Sequence, residues 1–227
     1  MKQVTLNLYK FEELSDEVRA KIVEQKRIDL GYSIMDCSNS EYQATLAKFE
    51  NIIGIKVNYE VDYCGQQFSF SWNEMPYEGY VDFTADEVKG KLLLRFLNKI
   101  YYQVRGRKYY GKLIPHEVDS DHPAGLEHVK RYSRIMWEED NCPLTGMCYD
   151  CYILHPIMEW HKKPDWKISL EDLICECLHT FFRAWHDEYQ YWCENKDNCI
   201  GEHIAVNSEG DWYYEDGKLF EGNVQCA

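Results

Sequence analysis

Residues 169–193 read SLEDLICECLHTFFRAWHDEYQYWC, and the expected fold follows from how this run is patterned. Leu170, Leu173, Ile174, Cys177, Leu178, Phe181, Phe182, Trp185, Tyr189 and Trp192 recur every three or four residues, the spacing of one broad helical face. Ser169 is placed to cap the first turn, with Glu171 and Asp172 where the helix dipole favours negative charge. A helix of this length spans roughly 35 Å, about the width of a small domain. Burying each large side chain contributes ~1.5–3 kcal/mol, so this helix is the expected spine of the core.

Upstream of the helix, residues 138–165 hold three cysteines and prolines at 143, 156 and 164, and read as an irregular segment. Downstream, Trp212–Tyr214 and Lys218–Phe220 flank the turn signal Asp216-Gly217 and read as a short closing hairpin. Nearer the start, Val4, Leu6 and Leu8 alternate with polar residues as a first strand would. Ser15 opens a helix that Gly31 is expected to stop, and the polar stretch DCSNS (36–40) then reads as a connection to a second helix ending at Gly54.

The clearest strand signal comes next. Ile55, Val57, Tyr59, Val61 and Tyr63 alternate with Lys56, Asn58, Glu60 and Asp62. Cys64-Gly65 supplies a turn, and Phe68, Phe70 and Trp72 continue the pattern back, as in an antiparallel hairpin with one buried face. A third strand is expected near Tyr80–Phe83. Thr84 and Glu87 have capping-box spacing for a helix to about Tyr102, and VRGRKYYGKLI and LEHVKRYSRIMW read as two further strands. Helices and hairpins alternate without a βαβ rhythm. The expected class is therefore α+β: an antiparallel sheet of hairpins packed on several helices, in a single domain over residues 1–227. The apolar face of the 169–193 helix is expected to cover the hairpin. Its polar face opens the acidic part of the chain, so reversing Asp187 and Glu188 to lysine is expected to leave folding intact.

The chain has 227 residues with a net charge of −14, and the charge is uneven. From Glu171 to Ala227 there are 13 acidic and 3 basic residues, whereas Val88–Ile114 holds eight basic residues and no acidic one. No run is apolar enough to cross a bilayer, and the polar start does not read as a secretion signal, so the expected setting is cytoplasmic and without a membrane. In that reducing compartment most of the ten cysteines should be free thiols.

No P-loop, dinucleotide glycine fingerprint, nucleophile elbow or HExxH is present, and nothing in the sequence argues for catalysis. Three chemistries are open. Cys148 and Cys151 have the CxxC spacing of half a zinc site, which Cys142 and His155 would complete; without that set, no cofactor is expected. Arg105, Arg107, Lys108 and Lys112 lie among tyrosines, as on a single-stranded nucleic-acid surface, although the net charge opposes phosphate. His186-Asp187 has the dipeptide core of a metal-dependent phosphohydrolase, with no locatable partner ligands. The third charged feature is the acidic block, in which Glu176, Asp187, Glu188, Glu194, Asp197 and Glu202 can present carboxylates to a basic partner.

Four stretches together resemble a group of small acidic proteins of bacteriophages and mobile elements. They are YKFEELSDEVRAKIVE (9–24), GIKVNYEVDYCGQQFSFSW (54–72), EDNCPLTGMCYDCYILHPI (139–157) and EHIAVNSEGDWYYEDGKLF (202–220). That group is mostly of unassigned function and is sometimes labelled antitoxin-like. The resemblance implies a bacterial host cell and an accessory role, and transfers no active-site residue. The leading expectation is a non-enzymatic protein that binds a host protein or protein–nucleic acid complex through its acidic surface, as anti-CRISPR-type inhibitors do. The alternatives are a zinc-stabilised nucleic-acid-binding module and a small metal-dependent hydrolase.

Overall fold

Ser169 begins the central helix by closing a capping box with Asp172. The Ser169 hydroxyl accepts from the Asp172 N–H at 3.0 Å, and an Asp172 carboxylate oxygen accepts from the Ser169 N–H at 3.1 Å. The computed structural model describes residues 5–73, 84–104 and 142–222. Within them, in chain order, lie α1 (Asp16–Ile53), β1 (Ile55–Val61), β2 (Gln66–Trp72), α2 (Gly90–Lys99), α3 (Tyr101–Val104), α4 (Asp150–Lys162), α5 (Leu170–Cys193) and α6 (Cys199–Asn207). The class is α+β. The described strands form one two-stranded antiparallel sheet, with Ile55 opposite Trp72, Val57 opposite Phe70 and Tyr59 opposite Phe68.

The helix α5 packs against α1, α4 and the hairpin. Its apolar stripe is buried as the periodicity predicts from Leu170 through Tyr189, whereas Trp192 is half-buried and its neighbour Cys193 is the buried residue at the end. Phe182 stacks on Phe68 with centroids 5.1 Å apart and lies 5.2 Å from Tyr59, so this face does cover the hairpin. Trp185 meets Tyr59 at 5.5 Å on one side and stacks on Tyr42 of α1 at 4.7 Å on the other.

The largest departure from the sequence reading is α1, which is one 38-residue helix. Gly31 does not stop it. The position is buried, and a Cβ there would lie 2.7 Å from Cys193 Sγ and 3.1 Å from the Cys193 N, so the glycine lets α1 and α5 approach closely. The DCSNS stretch does not connect two helices either. Ser38 donates to Glu188 at 2.9 Å, and Asn39 donates to the Tyr189 hydroxyl and accepts from Trp185 Nε1, both at 2.8 Å. Polar residues with weak intrinsic helix preference stay helical here because their side chains form the seam with α5. Gly54, at φ +83, ends the helix as expected.

Other expectations shift in detail. Residues 5–8 form no regular strand, and Leu6 is 49% exposed; Tyr9 instead makes an isolated antiparallel bridge to Tyr213. Thr84 and Glu87 do bond to each other, yet they close a turn and not a helix start. The helix waits until Gly90 because Lys89 is extended and bridges Ser169. The region 138–165 is less irregular than its prolines suggest. Pro156 sits inside α4, whose buried side is Ile153, Leu154, Ile157 and Trp160, and the carbonyl it leaves without a helical donor belongs to exposed Tyr152. The closing hairpin forms through Tyr213 opposite Leu219, with Gly217 at φ +85. The strand expected at Tyr80–Phe83, and those expected past Val104 and in LEHVKRYSRIMW, lie outside the described residues.

Two cores result. The larger gathers Tyr42, Phe49, Phe96, Ile157, Phe181 and Trp185, among others. The smaller joins Phe11, Leu14, Ile22, Val23, Cys199, Ile200, Ile204 and Tyr213, so the first half of α1 packs on α6. Neither the sequence pattern nor its charge had marked α6 as a helix.

Candidate functional site

The corner between α5 and α6 is built from Asn195, Asp197 and Asn198 at φ 53°, 54° and 60°, a left-handed region that Asn and Asp tolerate better than bulkier residues. The Asn195 side-chain carbonyl accepts from the Ile200 N–H at 2.8 Å and so caps the new helix. This tight corner folds α6 back onto α1. Between them opens a cleft of about 670 Å³, lined by Glu12, Asp16, Arg19, Glu24, Asn195, Asn198 and Glu202 over a floor that includes Phe11 and Val23. Arg19 is the one cation of this lining, and Asp16 already binds it. Arg27 pairs with Glu24 at 2.9 Å and its hydrogen bond holds the Glu24 carboxyl below the usual range, so Glu24 stays charged.

The six acidic residues expected to bind a partner are therefore divided. Glu202 lines the cleft, and Glu194 and Asp197 are exposed at its corner, Glu194 beside Lys196 at 3.2 Å. Glu176 and Asp187 are exposed along α5, where Asp187 faces Arg183 at 3.9 Å. The sequence reading missed Glu12, Asp16 and Glu24 as partners of Glu202. The only available signal was the acidic run around Ser15, which capping already explained.

Glu188 is not part of an open surface. It is half-buried and accepts from Tyr42 at 2.8 Å and from Ser38 at 2.9 Å, with the Tyr149 hydroxyl 3.4 Å away. Burial, and then the Glu188 charge, push the Tyr42 phenol far up, so Tyr42 remains a proton donor to this carboxylate. The two charge reversals must then differ. Glu188→Lys is expected to cost about 2–4 kcal/mol, because it strands two hydroxyl donors beside a second donor group. Asp187→Lys is expected to stay within about 0.5 kcal/mol of the parent. Urea denaturation of the two variants checks this, and equal midpoints would show that Glu188 has no structural role.

The cysteine-rich segment has an anchor that spacing did not reveal. Asp150 is fully buried, and its carboxylate accepts from the Leu144 N–H at 2.8 Å, the Thr145 N–H at 2.7 Å, the Thr145 hydroxyl at 2.7 Å and the Thr45 hydroxyl at 2.8 Å. These bonds fold residues 142–149 over the start of α4. Cys148 is exposed, Cys142 and Cys151 are half-buried, and His155 is on the exposed side of α4. Among the described residues no group of three or more His, Cys, Asp or Glu is arranged to hold a metal ion. Among the described residues His186-Asp187 gains no ligand partner either, and His186 Nδ1 lies 2.8 Å from the Asp62 carbonyl, tying the hairpin turn to α5. Arg105, Arg107, Lys108 and Lys112 lie outside the described residues.

No described helix is long and apolar enough to cross a membrane. Comparison of the chain with protein-family models, with curated proteins and with solved structures gives no match.

Proposed function

We propose that the chain is a non-catalytic accessory protein of a phage or mobile element, and that its acidic cleft binds a basic surface of a host protein or protein–nucleic acid complex. The observation that carries this reading is the convergence of Glu12, Asp16 and Glu24 from one end of the chain with Glu202 from the other around a single cleft. Carboxylates held on a helical frame offer a cationic groove what phosphates would offer it. Such association is fast and weakens with salt. The resemblance to acidic phage proteins supports the setting.

The test uses a partner captured from the bacterial host and then purified. Its affinity for the chain is expected to fall about tenfold between ~50 and ~200 mM salt, as screening of exposed charges requires. Glu12→Lys with Glu202→Lys should lower the association rate and leave the folded state unchanged, and single-stranded nucleic acid should compete for the partner. An affinity indifferent to salt and to both substitutions would overturn the proposal.

A further inference from the structure

The acidic cleft makes no use of Cys148-Tyr149-Asp150-Cys151, although the structure holds this turn unusually firmly. Both intervening residues are anchored. Asp150 is buried under four hydrogen bonds, and the Tyr149 ring lies 3.9 Å from the Tyr42 ring with its hydroxyl 3.1 Å from Ser38 Oγ. The Cys151 N–H donates to the Cys148 carbonyl at 3.3 Å, and Cys151 Sγ lies 2.8 Å from that same oxygen. The two cysteines therefore close one turn that leads into α4, Cys148 just before its N-cap Tyr149 and Cys151 in its first turn. They differ in access, Cys148 being exposed and Cys151 half-buried, and both are free thiols.

We propose that Cys148 and Cys151 form a thiol–disulfide exchange site for small disulfides, with Cys148 the attacking and Cys151 the resolving thiol. The oxidant is a low-molecular-weight disulfide such as glutathione disulfide. The Cys148 thiol releases its proton to solvent, and the thiolate attacks one glutathione sulfur, forming a mixed disulfide and expelling one glutathione thiolate. Cys151 then loses its proton and attacks the Cys148 sulfur, expelling the second glutathione. The protein dithiol loses two electrons, one glutathione disulfide becomes two glutathione thiols, and the two protons released are those the thiolates take up. The fixed turn is what favours the second step. Its backbone is ordered before reaction, so ring closure loses little chain entropy and outruns attack by a second glutathione.

The assignment of roles follows from access. Cys148 meets a disulfide of glutathione size in solution, whereas Cys151 is reached through Cys148. Cys177, Cys193 and Cys199 are buried, and Cys37 and Cys64 are exposed cysteines elsewhere on the chain that serve as internal controls.

The native chain is treated with excess glutathione disulfide, quenched in acid, alkylated and cleaved after Tyr149. The expected product has lost two hydrogens, keeps no glutathione at Cys148, and leaves the two cleaved peptides joined. Cys151→Ser should halt at a glutathione adduct on Cys148, and Cys148→Ser should slow reaction at Cys151 about tenfold. A lasting glutathione adduct on Cys148 of the parent chain would overturn the proposal. So would a disulfide from Cys142 to either residue, reaction at Cys148 no faster than at Cys37 or Cys64, or equally fast pairing in urea.

Discussion

Alanine at position 150 is expected to remove about 3–5 kcal/mol of stability, one of the two largest single losses in the molecule. Asp150 is the one fully buried carboxylate among the described residues, and its two oxygens accept four hydrogen bonds from two parts of the fold, the 142–149 segment and α1. Removing it leaves two backbone N–H groups and two hydroxyls without their acceptor, the Thr45 hydroxyl fully buried and the others half-buried. The Thr45 hydroxyl keeps Thr145 at 3.3 Å as an alternative partner, which limits the loss without abolishing it. Asp150→Asn retains one acceptor oxygen and should lose roughly half as much. Urea midpoints of the parent and both variants decide the matter. If the alanine variant stays within about 1 kcal/mol of the parent, the buried carboxylate is not the anchor of the 142–149 segment.

Trp185→Ala is the second large loss, expected at about 3–5 kcal/mol from cavity formation. The indole stacks on Tyr42 at 4.7 Å and 4°, and on Phe182 at 6.0 Å and 9°. Its Nε1 donates to the Asn39 side-chain amide oxygen at 2.8 Å, so truncation also strips Asn39 of a donor. Trp185→Phe separates the two effects. It keeps an aromatic ring in place and removes the hydrogen bond, and should cost about 1–2 kcal/mol. Thermal and urea unfolding of both variants would read the difference, and equal losses would mean that stacking contributes nothing beyond the bond to Asn39.

These two residues show what the sequence could and could not disclose. Trp185 was legible, because it falls on the three-and-four spacing of α5 and periodicity reports burial directly. Asp150 was not, because a carboxylate beside two cysteines reads as surface or ligand until its four donors are brought to it by the fold. The same limit applies to α1. Gly31, Ser38 and Asn39 carry local signals for interruption, and only contact with Cys193, Glu188, Trp185 and Tyr189 turns each into a helix-packing residue. The hairpin and Gly54 needed no such help, since strand alternation and a helix stop are local properties. In the candidate site, Glu202 was foreseeable as acidic. Its neighbours Glu12, Asp16 and Glu24 were not, because nothing local brings residues nearly two hundred positions apart to one cleft.

The uninterrupted course of α1 has a consequence for binding. Its first half walls the cleft while its second half is locked into the larger core through Tyr42, Phe49 and Ile53. A rod of roughly 57 Å, at about 1.5 Å per residue, thus extends the stiffness of the interior out to the carboxylates. On the proposed function, a partner docking there would meet an acidic wall already held in shape. Little motional freedom remains to be surrendered on contact, and more of the electrostatic attraction survives as affinity.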